Sequence, residues 1–400
     1  MNERQLFLQH VAPTSPEPMA LPIGKARGSL LYDTDGNAYI DMIGGISVCN
    51  VGHCHPKVVA AIKHQADQYL HVMVYGEVVQ SPQVQYAALL AANLPPTLNN
   101  VYFTNSGAEA VEGAMKLAKR LTGRTEIIAC HNSYHGSTQG ALSILGNEYW
   151  RNAYRPLLPD IRHVYHNDFD SLEFITENTA CIILETVQAE GGVLAPSTAW
   201  MQALRQRCTH TGTLLVLDEI QVGFGRTGTL WGFEQYDIVP DVLLLGKALG
   251  GGMPLGAFIS SFENMQALAQ NPVLGHITTF GGHPVSCAAG KAALEALLAA
   301  GCMETVAEKE ALIVGLLQHE KIKSLRHKGL MLALQLGSFE EVKQVIACCM
   351  NEATATGEGV FTDWFLFAPD CIRLVPPLTI SAEEIKRACA IILKALDCLP

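Results

Sequence analysis

Four short apolar runs in the middle of the chain, NNVYFTNS, TEIIACH, ACIILET and TLLVLDE, each close on polar residues, with longer helix-like stretches between them. Runs that are apolar without alternation suit strands buried on both faces, and the helices between them supply the cover. The pattern predicts an α/β layered domain with a mainly parallel sheet. Ligands of such sheets gather at the carboxyl ends of the strands. Ser106, His131, Glu185, Asp218 and Glu219 close the runs and are the first candidates for chemistry.

The chain has 400 residues, enough for one large or two ordinary domains. Half its residues are apolar and 16% are charged, which excludes disorder. A net charge of −11 argues against nucleic acid or an anionic membrane as main partner. A small anionic ligand in a locally basic pocket stays compatible with it. No apolar run approaches the roughly 18 residues of a membrane span, and the first residues lack the apolar stretch of a signal peptide. A cytoplasmic location is expected, and the scattered cysteines fit a reducing compartment. His53-Cys54-His55 and Cys348-Cys349 lack C-x-x-C spacing, so no metal is expected. Asp35-Gly36 marks a hairpin turn near the start. From about residue 286, amphipathic helices alternate with short strands (LMLALQL, CIRLVP), and a closing helix begins at Ser381.

Several stretches carry chemistry. VYFTNSGAEAVEG runs from a strand into a helix beginning near Ser106, where Gly107 and Ala108 allow close backbone approach. A helix N-terminus offers free N–H groups and a positive dipole end, an anion site suited to phosphate. Glu109 in the first turn also fits a plain helix start. Gly223, Gly225 and Gly228 match G-x-G-x-x-G, yet they lead into a loop and open no helix, so a dinucleotide site is disfavoured. A P-loop fails too, since Ala248 follows Lys247. Asp218 ends a buried strand and needs a cationic partner or a ligand there. Tyr134, at another strand end, can stack on a planar ring or be an ordinary packed tyrosine. Lys247 lies among leucines and glycines, and desolvation there favours the neutral amine that attacks an aldehyde. Phosphate cradle, aromatic face, buried aspartate and lysine together are the complement of pyridoxal phosphate.

With these residues in view, the chain resembles the class III (ω-amino-acid) pyridoxal-phosphate-dependent aminotransferases, in particular those of the acetylornithine/ornithine type. GHCHP, TNSGAEA, YHGST, ETVQAEGG, LDEIQVGFGRTG, LLLGKALGGG, TTFGGHP and CIRLVPP follow the family's order over nearly the whole chain. The resemblance implies the type I pyridoxal-phosphate transferase fold. That fold has a large domain with a mainly parallel seven-stranded sheet and a smaller α+β domain. On this chain it implies an N-terminal segment 1–50 joining the small domain, a large cofactor-binding domain 51–285 and a small domain 286–400. Lys247 is then the Schiff-base lysine and proton shuttle, Asp218 the partner of the pyridine nitrogen, and Gln221 the neighbour of the ring hydroxyl. Ser106, Gly107 and Ala108 hold the phosphate, Tyr134 stacks on the ring, and Glu185 belongs to the wall beside it. Thr279 reaches the phosphate of a neighbouring subunit, which implies a homodimer. The implied reaction is ping-pong transamination.

Glu190 and Arg373 resemble a pair that serves two unlike substrates. The free guanidinium grips a carboxylate of glutamate or 2-oxoglutarate, and Glu190 neutralises it otherwise. A permanent structural ion pair is the plainer alternative. Ile46 matches acetylornithine- and 4-aminobutyrate-type relatives, whereas the ornithine δ-type tends to carry tyrosine. Ser137 stands where these groups usually carry a carboxylate-anchoring arginine. An acetylornithine/ornithine-like donor is favoured; 4-aminobutyrate, lysine, a diamine or another ω-amino acid, with pyruvate as an alternative acceptor, stays open. So does an aminomutase or racemase outcome. A nicotinamide-dependent oxidoreductase and a non-catalytic binding protein are the distant rivals.

Overall fold

The computed structural model describes residues 2–73 and 76–399. Seven strands form its central sheet, in the order Asn100–Thr104, Gly256–Ser260, Val242–Leu245, Leu214–Asp218, Thr179–Glu185, Glu126–Cys130, Ile161–Val164. Gly256–Ser260 runs antiparallel to both neighbours, and the remaining pairings are parallel. All four runs singled out in the sequence are strands of this sheet. Every residue of Thr179–Glu185, Val242–Leu245 and Gly256–Ser260 is buried, as a sheet covered on both faces requires.

The helix Gly107–Thr122 covers one face. It starts at Ser106, whose hydroxyl accepts the Glu109 N–H at 3.2 Å, and ends at Gly123 in the left-handed conformation. It buries Ala110, Val111, Ala114, Leu117 and Ala118, one stripe of small and aliphatic side chains laid against the strands. On another flank, Pro284–Ala299 packs against helices Pro56–Gln68 and Ser81–Ala92 and against the short turn Lys247–Gly250. The Tyr86 hydroxyl donates to the Leu249 carbonyl at 2.7 Å and fixes that turn from behind.

Two four-stranded sheets complete the molecule. One contains the hairpin Leu30–Asp33/Ala38–Asp41, with its turn at Asp35-Gly36, flanked by Ile23–Arg27. Its far edge is Glu358–Phe361, which pairs in parallel with Ala38–Asp41 from the other end of the chain. The other sheet runs Ser324–His327, Leu332–Gln335, Ala368–Leu374, Asp363–Phe365, all antiparallel. Helices Phe339–Thr356 and Ala382–Asp397 pack on each other and on the strand Glu358–Phe361. Among the described residues no helix is long and apolar enough to cross a membrane.

Candidate active site

Parallel alignment brings the polar ends of separate strands to one edge of the sheet. Gly107, Ala108, Tyr134, Glu185, Asp218, Gln221 and Lys247 all line a single cavity of about 240 Å³ there, together with His135 and Ser137. Its floor is made by close backbone contacts. A side chain at Gly107 would stand 2.7 Å from Ile220 Cδ1, and one at Gly136 (φ +128°) would stand 2.6 Å from Ala108 Cβ. Lys247 follows the strand Val242–Leu245 and takes a left-handed backbone (φ +49°), uncommon for a residue with a side chain. Burial weakens its ammonium's hold on the proton, against the opposing charges of Asp218, Glu190 and Glu185.

Asp218 is held from behind. His135 Nδ1 lies 2.7 Å from Asp218 Oδ2, both side chains buried, and Asp218 Oδ1 accepts the Ile220 N–H at 3.0 Å. His135 has no role among the expectations drawn from the sequence. Its link to Asp218 joins residues from different strands, for which spacing gives no signal. Glu185 accepts the Tyr134 and Ala189 backbone N–H groups at 3.1 and 2.9 Å. Burial pushes its carboxyl up to about 7; His135 opposes the shift and the Asp218 charge adds to it.

A second cavity of about 480 Å³ adjoins the first and shares Tyr134, Gln221 and Lys247 with it. Glu190, Arg373, Ile46, Met19, Trp364 and Leu366 are among its walls. Arg373 grips Glu190 bidentately, with both N···O distances 2.9 Å. Its Nε donates to Asp363 Oδ1 at 2.8 Å and its Nη2 to the Trp364 carbonyl at 2.9 Å. Asp363 is a third member of the group that the sequence did not reveal. Burial alone would raise the Glu190 carboxyl, but the Arg373 charge and hydrogen bonds hold it below the usual range. Burial raises Asp363 to about 6 against the attraction of Arg373.

Gln221 bridges the two cavities. Its amide donates to Glu190 Oε1 at 3.0 Å, while its own Oε1 is buried without a partner among the described residues. An acceptor left open at that point suits a ring hydroxyl as donor. Ser137 is exposed, and its hydroxyl lies 3.0 Å from the Tyr134 hydroxyl. Ser106 is also exposed, at the rim, with Gly107 and Ala108 below it. Thr279 stands apart: it lies on an exposed loop and lines neither cavity. The G-x-G-x-x-G glycines lie in turns that open no helix, with Gly225 and Gly228 at positive φ.

A glycine-floored recess at a helix N-terminus, a buried aspartate across the cavity from a desolvated lysine, and an open acceptor at Gln221 fit one cofactor class. They define a pyridoxal-phosphate enzyme. The chain belongs to the class III aminotransferases, whose family model matches residues 11–396. It is thus a pyridoxal-phosphate-dependent transaminase. It is similar to the acetylornithine aminotransferase of Methanopyrus kandleri, 38% identical over 402 residues and 99% of each chain. The acetylornithine aminotransferase of Bacillus cereus is 36% identical, covering 93% of this chain and 94% of its own. Among solved structures, the ornithine aminotransferase of Toxoplasma gondii superposes with a TM-score of 0.89 at 29% identity, covering 98% of this chain and 92% of its own.

Proposed function

We propose that this transaminase moves an amino group from an ω-amino acid or diamine-type donor, acetylornithine/ornithine-like in skeleton, to 2-oxoglutarate in two alternating half-reactions. The observation that carries the reading is the Arg373–Glu190 pair lining a cavity that also contains Lys247. The bound cofactor supplies an aldehyde that captures the amine and a ring that accepts the electrons released at the substrate carbon. Lys247 would hold the cofactor between turnovers, and its amine would move a proton at the substrate carbon. Its depressed proton affinity keeps the neutral amine accessible for both tasks. Asp218 would pair with the ring nitrogen and favour its protonated form, with His135 orienting the carboxylate. The Gly107 and Ala108 backbone, with Ser106 at the helix start, would hold the phosphate. Tyr134 would cover the ring, Gln221 would accept from the ring hydroxyl, and Glu185 would close the wall beside it.

Arg373 takes the far carboxylate of 2-oxoglutarate when Glu190 swings aside, and Glu190 returns when the donor carries no such group. Gln221 and the Leu366 N–H, at 3.0 Å each, keep Glu190 hydrogen-bonded. Ser137 supports a second reading of the donor half: with a neutral hydroxyl at the rim, a donor lacking a carboxylate there, such as a diamine, is also accommodated.

The assembly we infer is a homodimer in which Thr279 reaches the neighbouring subunit's phosphate. In support, Leu70, Met73, Val79, Val273, Ile277 and Phe280 are exposed around this loop, and the Phe280 ring lies 4.8 Å from that of His71. An apolar surface of this kind calls for a partner.

A panel of amino donors, each assayed with 2-oxoglutarate and with pyruvate, tests the assignment. The proposal expects N-acetylornithine, ornithine or a diamine to lead and 2-oxoglutarate to outpace pyruvate. Preference for pyruvate, or turnover that consumes no keto acid, would refute it.

A further inference from the structure

The second cavity holds one carboxylate oxygen that nothing in the described chain engages. Glu190 is fully committed: its Oε1 accepts from Arg373 and Gln221, and its Oε2 from Arg373 and the Leu366 N–H, all at 2.9 to 3.0 Å. Arg373 is committed as well. Besides that pair, its Nε donates to Asp363 Oδ1, its Nη2 to the Trp364 carbonyl, and its Cζ lies 4.5 Å from the centre of the Phe365 ring. Asp363 differs. Its Oδ1 is bonded to Arg373, whereas its Oδ2 has no hydrogen-bond partner among the described residues. Its side chain is 22% exposed, against 3% for Arg373 and 4% for Glu190, and the residue lines the cavity.

The charges around that oxygen do not balance. Two carboxylates meet one guanidinium, so the group is net negative when both are ionised. Glu190 is held ionised by Arg373 against its burial. Asp363 is raised by burial only to about 6, so it too is mostly charged at pH 7. Lys247, on the same walls, is drawn toward its neutral form by burial and supplies no fixed counter-charge. Ser137, on the adjoining cavity, offers a neutral hydroxyl. A half-buried carboxylate left one cation short favours a cation from outside. Met19, Ile46, Trp364 and Leu366 make much of the remaining wall apolar, a lining suited to methylene groups.

We propose that Asp363 is a specificity-determining residue for the amino donor: its free Oδ2 receives a second ammonium, so the preferred donor is an aliphatic α,ω-diamine rather than an N-acylated or carboxylate-ended amine. This rests on the function proposed above and narrows its donor class. One amine of the donor reacts at Lys247, the methylenes lie along the apolar walls, and the far ammonium donates to Asp363 while the Glu190–Arg373 pair stays closed. A carboxylate at that end meets Asp363 as a like charge, and an acylated amine brings no charge to it. In the other half-reaction 2-oxoglutarate takes the Nη edge of Arg373 from Glu190. Asp363 stays on Nε, the position that a bidentate carboxylate on the Nη edge does not need, and keeps the guanidinium in place.

The donor half-reaction alone tests this. Cofactor-loaded protein is mixed with one donor and no keto acid, and the second-order rate constant is read from the loss of the cofactor's visible absorbance. In the wild type, 1,5-diaminopentane is expected to react at least about tenfold faster than 1-aminohexane, a monoamine of matched length, and faster than N-acetylornithine. Asp363→Asn keeps an oxygen for the Arg373 Nε and loses the charge, so the ratio of diamine to monoamine should fall at least about tenfold. Equal losses for both donors, the signature of a purely structural residue, overturn the proposal; if the variant does not fold, the wild-type ratio decides alone. N-acetylornithine ahead of the diamine overturns it too, and leaves the function proposed above standing. A failed 2-oxoglutarate assignment would show only in the acceptor panel, since no acceptor is present here.

Discussion

Replacing Arg373 with alanine separates a substrate-gripping guanidinium from a merely structural one. In the folded chain Arg373 makes two bonds to Glu190 at 2.9 Å and one to Asp363 at 2.8 Å, all in a buried setting. A bidentate charge-assisted pair with a substrate carboxylate, made at the expense of the Glu190 contact, leaves a net contribution of about 3 kcal/mol. That corresponds to roughly 10²-fold in kcat/KM for 2-oxoglutarate. Pyruvate has no second carboxylate, so its kcat/KM should fall by less than about tenfold from the general loosening of the wall. The variant will also be less stable, by about 3–5 kcal/mol, because Glu190 and Asp363 remain buried without their cation. Steady-state kinetics with the two acceptors at a fixed donor, alongside a thermal melt, give the comparison. An equal fall for both keto acids would show that the pair only holds the wall together. An unchanged 2-oxoglutarate value would remove Arg373 from the acceptor site.

Lys247→Ala should abolish turnover and the absorbance band of the lysine-linked cofactor in purified, cofactor-loaded protein; normal turnover would end the proposed mechanism. A 1:1 mixture of Lys247→Ala and Thr279→Ala subunits, each impaired alone at limiting cofactor, should regain about a quarter of wild-type activity, because only one site in each hybrid dimer is intact. No recovery after verified subunit exchange would place Thr279 outside the neighbour's site. The Glu185 carboxyl, raised from 4.5 to about 7, holds its proton more firmly folded than unfolded. Its contribution therefore favours folding below about pH 4.5 and declines, by about 3 kcal/mol in all, as pH rises to about 7. Glu185→Gln should be about 1 kcal/mol less stable at pH 5, having one acceptor oxygen for two backbone donors, with the gap closing or reversing by pH 8. A constant gap across chemical-denaturation curves would contradict that assignment.

How much of this was readable beforehand depended on whether the signal lay along the chain or across it. The runs ending at Ser106, Glu185 and Asp218 were legible because a doubly covered strand must be apolar throughout and must stop where polar groups begin. Lys247 was legible from its apolar flanks, and Gly107 from its place at a helix start. The position of Gly256–Ser260 was not: as a buried strand it looks the same whether it runs parallel or antiparallel. Ile161–Val164, at the sheet edge with Arg162 exposed, lacks the continuous apolar run altogether. His135 behind Asp218, Asp363 behind Arg373, and Arg226 above Asn50 are contacts between residues far apart in sequence. Their partners follow from topology, which no local pattern encodes. Backbone strain at Ile46 and Lys247 was equally hidden, since neither residue type announces a left-handed conformation.

The parallel pairing of Ala38–Asp41 with Glu358–Phe361 has a consequence for how the enzyme comes into being. During synthesis the N-terminal hairpin waits with one open edge until almost the whole chain has emerged, a template for wrong pairing throughout. The cofactor recess, built from residues 106 to 247, lacks no strand by then, whereas Arg373 arrives last and joins Glu190 only as the small sheets close. On the function proposed above, the power to bind the cofactor thus precedes the power to choose a substrate. A late-folding mutant of the hairpin would accumulate as a coloured protein with no discrimination among keto acids.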